Sequence, residues 1–458
     1  MTRMILTGGR IVDPRHGVDA VLDLAIEDGR IVAVGHNAAS ARAATVIDCS
    51  GRAVIPGIID THVHLSGPDG VNGHRMVARA GVTTVLDLAG DAESLVRGAA
   101  EAGAGLTIAF LEPVIPGATV GGPDPAHPEL ADLILRARER GALGVKVLGG
   151  HYPLTPNATA RTIRAAAEQG AYVAVHAGTT EHGSDIDGLE ELIQLAEGLP
   201  LHVAHVNSYC RGQRTGDPVG ESHRALRAVE SAPNVRSESY LSILNGTSGA
   251  CDGGIPASNV TKTCLEMGGF EPSENGLAEA ILAGWAQVQT TIGGETVLVG
   301  GADAETLWRE RGTRVGLSFP VNPPVASLIM ASAKDGGGAF IVDAISTDGG
   351  AIPRNVIVEQ GLPLVRAGAL RLDDFVRKTS VNPAAMLGVS SKGHLGAGAD
   401  ADITVLDLQA GRAVLGIAGG DLIMVDGVPV GRGARFLTTP AGQRSLEAQG
   451  QPCQVLDR

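Results

Sequence analysis

The sequence predicts an α/β protein in which a (β/α)8 barrel is inserted into a small β-sandwich built from both chain ends. Three observations predict it. From about residue 56 to 392, short apolar strands alternate with alanine-rich helical stretches, the texture of parallel βα units. Six or more such units within roughly 250 residues point to a closed barrel and not an open sheet. Residues 1–55 and 393–438 read instead as short strands separated by Gly, Asp and Pro, and their shared composition assigns them to one composite β-domain.

In chain order, strands are expected at 4–6, 10–12, 22–26 and 30–34, followed by an apolar run from 54 that ends in His62-Val63-His64. Within the barrel, strands are expected at 82–87, 106–111, 143–148, 172–176, 201–206 and 338–346. Helices with apolar residues at i, i+3 and i+4 are expected at 92–102, 128–140, 158–169, 187–197, 221–231 and 372–379. Residues 232–315 carry glycine-rich turns (Asn245-Gly246, Asp252-Gly253-Gly254) and read as an excursion near the barrel mouth. Short strands return at 401–407, 421–425 and 428–430. The tail, 439–458, is polar and shows no periodicity.

The bulk composition narrows the partners. The chain has 458 residues, 44% hydrophobic and 19% charged, a globular composition able to bury a large core. Aromatic residues make up only 3%, which argues against stacking platforms for nucleic-acid bases. A net charge of -14 argues against nucleic acid and against an anionic membrane surface, while leaving room for a locally cationic pocket. The five cysteines (Cys49, Cys210, Cys251, Cys264, Cys453) are scattered and form no C-x-x-C pair, as expected in a reducing cytosol. The first residues lack the apolar core of a signal peptide, and no segment reaches about 18 uninterrupted apolar residues. A cytoplasmic protein with a small-molecule substrate is expected. Barrels of this size often associate, so a homo-oligomer is expected as well.

Chemistry concentrates at strand ends. On a strand, residues i and i+2 share a face, so His62 and His64 project together, and two imidazoles aimed at one point can start a metal site. Barrel enzymes place their reactive groups at the C-terminal ends of the strands. The fourth strand carries Lys146, the fifth ends in His176, the sixth in His205 and the last in Asp348. The ordered set Pro56-Gly57-Ile58-Ile59-Asp60-Thr61-His62-Val63-His64, Gly144-Val145-Lys146, Val175-His176-Ala177, Val203-Ala204-His205-Val206-Asn207 and Ser346-Thr347-Asp348 resembles the amidohydrolase superfamily. Asn382-Pro383-Ala384 and Gly398-Ala399-Asp400-Ala401-Asp402 extend the likeness, which is strongest to the binuclear cyclic-amide branch of dihydroorotases, hydantoinases and enamidases.

That resemblance implies two divalent ions, zinc being expected, and a CO2-derived carbamate on Lys146 that bridges them. His62, His64 and Asp348 would hold one ion, and His176 and His205 the other. A carbamate supplies anionic oxygens where an ammonium could not ligate a cation. The implied reaction is attack of a metal-activated water on an amide carbonyl, with Asp348 as general acid and base. Thr347-Asp348-Gly349-Gly350 is also good turn chemistry.

Substrate contacts are expected from Ser66, His151, Tyr152, Asn207, Tyr240, Asn322 and Arg354. His202, three residues before His205, is expected to face the other side of the sheet. The dihydroorotase pattern has an arginine two residues after the paired histidines, where this chain has Ser66. It has a histidine after the strand-end aspartate, where Gly349 stands. Asn322-Pro323-Pro324 continues as Val325-Ala326, without the arginine of those enzymes. These departures argue against dihydroorotase itself, and the run 62–67 is closer to enamidase-like proteins. The implied function is hydrolysis of a C–N bond in a hydantoin-, lactam- or enamide-like cyclic amide. The alternatives are an N-acyl amino acid deacylase or isoaspartyl-type peptidase, and a non-enzymatic dihydropyrimidinase-like scaffold.

Overall fold

Along the central strands the apolar residues split into two sets that face opposite ways. Val85, Ile108, Phe110, Val145, Val147, Val173, Val175 and Val203 pack outward against Leu95, Ile134, Ile163 and Leu189 of the surrounding helices. Leu86, Ala109, Leu111, Ala174 and Ala204 form a separate inner cluster. A sheet buried on both faces and covered by helices is the situation of a parallel barrel.

The computed structural model describes residues 3–36, 38, 45–67 and 70–456. Seven parallel strands follow one another in the sheet: Ile58–His64, Val82–Leu88, Leu106–Val114, Gly144–Leu148, Tyr172–His176, Leu201–Val203 and Val235–Tyr240. An eighth, broken strand closes the ring. Its first part, Ala344–Ser346, pairs with Val235–Tyr240, and its second part, Gly349–Gly350, pairs with Ile58–His64. Helices Ala92–Ala102, His127–Glu139, Pro156–Glu168, Ile186–Leu195 and Pro218–Glu230 lie between successive strands. Four of them start where a side chain caps the first turn: Asp91, Thr155, Asp185 and Asp217 each accept a backbone N–H.

Both chain ends contribute to one nine-stranded sheet. Ile403–Asp407 runs antiparallel to Ala53–Pro56, so the C-terminal strands continue the N-terminal ones. Leu24, Ile26, Ile31, Ile403, Val405 and Ile417 make its core.

Two regions have more structure than their sequence suggests. The excursion after the seventh strand is a small α/β unit. Asn245–Ser248, Gly316–Phe319, Gln287–Ile292 and Glu295–Val299 form a four-stranded sheet, with helices Asn259–Met267, Glu274–Leu282 and Ala302–Glu310 against it. Leu265, Leu277, Ile281, Val288, Trp308 and Phe319 give it a core of its own. The tail is also ordered. Pro440–Ala448 is a helix and Cys453–Val455 is a strand parallel to Ala434–Thr438, which itself pairs with Leu106–Val114. Its periodicity is hidden because the helix buries one large apolar side chain, Leu446, against Gly141, while Leu456 joins the inner cluster.

Trp308 is fully buried and donates its indole N–H to the carbonyl of Gly249 at 3.0 Å. Trp308→Ala is expected to cost about 3–5 kcal/mol locally, the usual range for emptying a buried aromatic site. Limited proteolysis should then cleave within 245–319 well before the barrel; uniform resistance would contradict an independent core there.

Candidate active site

The inward residues at the strand ends converge. His62 and His64 share a face of the first strand, and Asp348 sits in the break of the last strand that pairs beside it. Asp348 Oδ1 lies 3.3 Å from His62 Nε2 and 3.2 Å from His64 Nε2. The rings of His62 and His205 stack with centroids 5.2 Å apart, and those of His176 and His205 meet edge to face at 4.4 Å. His62, His205 and Asp348 offer ligand atoms that all lie within 4.8 Å of one another. Lys146 is buried in the same wall, and its Nζ has no hydrogen-bond partner among the described residues.

Burial sets the protonation states. Desolvation holds His62, His176 and His205 well below the ordinary imidazole value, so these rings are neutral and can act as donors to a cation. Burial likewise lowers Lys146, against the pull of Glu238 and Asp348. The Asp348 carboxyl goes the other way: burial would raise it, but Arg354, His62, His64 and His205 together hold it well below the carboxylate range. Arg354 is itself buried. Its Nη2 is 2.6 Å from Asp348 Oδ2, its Nε donates to the Asp348 carbonyl at 2.5 Å, and its plane lies 4.9 Å over the Tyr240 ring.

Glu238, which is not among the residues expected from the sequence, orients the cluster from beneath. This fully buried carboxylate accepts from His62 Nδ1 at 2.7 Å and from the backbone N–H of His205 at 2.7 Å, and it takes the Ser346 hydroxyl on its other oxygen. Its strand, Arg236-Ser237-Glu238-Ser239-Tyr240, is polar and lies within the stretch that reads as irregular. A lone glutamate in such a run carries no signal.

The predicted residues separate into two groups. His62, His64, Lys146, His176, His205 and Asp348 all line one cavity of about 700 Å³, as do Ser66, His151, Tyr152 and Arg354. Asn207, Tyr240 and Asn322 are buried behind the cavity wall. The Asn207 carbonyl accepts from Tyr240 N–H, and Asn322 donates to the Tyr240 hydroxyl and to the Leu244 carbonyl. Their polar atoms are spent on the wall itself. Arg354 reaches the cavity, yet its guanidinium is committed to Asp348. His202 differs from expectation too: it contacts Tyr172 Oη at 3.1 Å and lies 3.9 Å from Glu238, in the barrel interior. The sixth strand ends at Val203, and His205 takes a left-handed backbone (φ 36°), so the alternation that separates the two faces does not run from His202 to His205.

The insertion closes the cavity from above with Asn245, Thr247, Ser248, Asn259 and Gln289. The Gly149-Gly150 turn lies on His176, where a Cβ at Gly150 would collide with the imidazole. Gly349, where the dihydroorotase pattern has a histidine, has no room for a side chain: a Cβ would come within 2.6 Å of Asn355 Oδ1 and 2.7 Å of Thr347 Oγ1.

Residues 327–431, which carry Asp348 and Arg354, match the model of the amidohydrolase family. The chain is 39% identical to a dihydroorotase of Trichlorobacter lovleyi over 88 residues, which is 18% of this chain and 21% of that protein. The chain thus spans about a fifth of the length of the curated relatives it matches. Whole-chain likeness comes from solved structures. N-acyl-D-glutamate deacylase from Bordetella bronchiseptica gives a TM-score of 0.66 at 18% identity, covering 99% of each chain. The formyltransferase/hydrolase complex of Methylorubrum extorquens gives 0.65 at 20% identity, covering 96% of this chain and 91% of that one. These likenesses, over nearly the whole chain, show the fold alone: a parallel barrel joined to a separate sheet domain.

Asp348→Asn would leave the buried Arg354 guanidinium without its carboxylate, at an expected cost of about 3–5 kcal/mol near neutral pH. Because the folded carboxyl is depressed, its stabilisation is complete above the ordinary value of 3.8 and is lost as pH falls through the lower folded value. Urea unfolding of metal-free wild type and variant should show a constant gap above about pH 4 that closes on acidification. A gap that grows on acidification would contradict the ion pair.

Proposed function

We propose that this protein is an amidohydrolase, a metal-dependent hydrolase that opens a C–N bond of a cyclic amide of the hydantoin, lactam or enamide type. The observation that carries the proposal is the donor set: a desolvated Lys146 amine without a partner, set among neutral imidazoles and one ionised carboxylate. A lysine amine of lowered basicity has a larger unprotonated fraction, the form that adds CO2. As a carbamate it would fit between neutral imidazoles far better than an ammonium would. The residues present therefore fit a binuclear site. His62, His64 and Asp348 would hold one ion, and His176 and His205 the other, with carboxylated Lys146 shared; imidazole and carboxylate donors suit zinc.

Two divalent ions bound there would polarise an amide carbonyl and make water acidic enough to deprotonate near neutral pH. The chain's own residues do the remaining work. Asp348 turns Oδ1 toward His62 and His64, where it would receive the proton of the attacking water and pass it to the departing nitrogen. Arg354 fixes Oδ2, so the carboxylate presents one oxygen in one direction. Glu238 holds His62 through Nδ1 and leaves Nε2 facing the cavity. All five cysteines are free thiols, which supports a reducing, cytoplasmic setting.

The test is to load the protein with zinc and bicarbonate, measure metal content, and screen hydantoins, lactams, enamides and N-acyl amino acids. Two ions per chain and an acid-labile CO2 adduct on Lys146 are expected. His62→Ala should lose metal, and Asp348→Asn should lower kcat by about 10²–10⁴. A crystal structure of the loaded protein with unmodified Lys146 and no ions in the cluster would overturn the proposal; turnover of N-acyl amino acids alone would move it to the deacylase reading.

A further inference from the structure

The charges on the cavity wall do not balance. Two carboxylates reach the wall besides the reactive lysine, and each has an arginine of its own. Arg354 Nη2 lies 2.6 Å from Asp348, and Arg214 Nε lies 3.6 Å from Asp185 and 2.7 Å from Asp187. Of the three arginines on the wall, Arg211 alone has no carboxylate within 4.0 Å among the described residues.

Arg211 follows the short turn Val206–Tyr209 and is half-buried. Its Nε donates to Asn322 Oδ1 and its Nη2 to Asn245 Oδ1, both at 2.9 Å. Those acceptors are neutral amides at the two ends of the insertion. They fix the guanidinium plane and leave its charge uncompensated. Nη1 has no acceptor among the described residues. A cation held in a partly enclosed wall is costly without a counter-charge. Asn322 also donates to the Tyr240 hydroxyl at 3.0 Å, and the Tyr240 ring lies 6.2 Å from that of His205. Arg211 is thus one amide and one phenol away from the histidine cluster.

We propose that Arg211 binds a carboxylate of the substrate, so that the compound processed is a cyclic amide or acyl amino acid bearing a free carboxylate. This deepens the hydrolase reading above and rests on it. A single guanidinium with one unused edge matches a monovalent carboxylate in charge and in its two parallel N–H directions. A phosphate dianion would leave a negative charge over.

The test uses matched pairs on the metal-loaded full chain: N-acetylalanine against N-acetylalaninamide, and 5-carboxymethylhydantoin against its side-chain amide. Arg211→Gln removes the charge. Asn245→Asp keeps the contact to Arg211 and cancels its charge inside the wall. Calorimetric binding and kcat/KM are measured for each. Wild type is expected to favour the carboxylate twin by about 10-fold or more. Both variants should lose that preference, chiefly through KM, while the thermal midpoint of Asn245→Asp does not fall. If Arg211 only ties the insertion down, Asn245→Asp will keep the preference, and the proposal is overturned. Equal binding of both twins by wild type, or binding of none, overturns it as well. Carboxylate-selective binding lost in both variants, with no turnover by wild type, would refute the hydrolase reading and leave the carboxylate site standing.

Discussion

Closure of the barrel depends on Asp60, because the last strand is broken where it must meet the first. Among the described residues of the last strand, Gly349 and Gly350 alone ladder onto the strand of the paired histidines, flanked by the Asp348 and Ala351 N–H groups, which donate to the carbonyls of His62 and His64. Asp60 spans the gap: Oδ1 accepts from the backbone N–H of His62 at 3.1 Å and of Thr347 at 3.2 Å, and Oδ2 accepts the Thr347 hydroxyl at 2.6 Å. One carboxyl thereby fixes the register between His62 on one strand and Asp348 on the other. Burial pushes it up to about 7 against the pull of those same donors. With neither oxygen free, it serves the fold and is unavailable to a substrate.

The same desolvation that makes Asp60 expensive gives the cavity its character. Histidines in water near neutral pH carry charge part of the time and would repel a cation. His62, His176 and His205 are buried deeply enough to be neutral, and His151 beside them is pushed down to about 4 for the same reason. The two carboxylates of the cluster are each bridged. Glu238 is shared by His62, His205 and Ser346, and Asp348 by Arg354 and two imidazoles. Removing one partner from such a set leaves a buried charge unpaired, so the cluster is sensitive as a unit.

How far the sequence could be read follows from periodicity. His62 with His64, His176, His205 and Asp348 were legible because they stand where short apolar runs end, and Lys146 because it is the one charged residue within such a run; an ordered series of this kind is rare. The sheet shared by both chain ends was legible for the same reason. Glu238 was not, since its strand is polar and short. The insertion was not, because its helices are nine residues long and its core is assembled from single apolar positions far apart in sequence, such as Leu265, Val288 and Trp308. Asn207, Tyr240 and Asn322 were expected as substrate contacts, Asn322 through the likeness of Asn322-Pro323-Pro324 to the dihydroorotase segment. Here the two asparagine side chains satisfy backbone groups, the Tyr240 N–H and the Leu244 carbonyl, and the Tyr240 hydroxyl accepts from Asn322.

Two of the six strand-end residues, His205 (φ 36°) and Asp348 (φ 50°), have left-handed backbones, a conformation that costs a non-glycine residue about 1–2 kcal/mol. Each is held there by identified bonds. The His205 N–H donates to Glu238, and its Nδ1 meets the Ser208 hydroxyl at 2.6 Å; the Asp348 N–H donates to the His62 carbonyl at 2.9 Å, and its own carbonyl accepts from Arg354. In a regular strand, a residue two places past an inward one would also point inward, but further along the barrel axis. The left-handed turn instead brings the next side chain back over the mouth. His205 is thereby set against His176 and His62, and Asp348 between His62 and His64. The strain at these two positions is therefore the local means by which three separate strands deliver side chains to one point, and Glu238 and Arg354 are the residues that hold it.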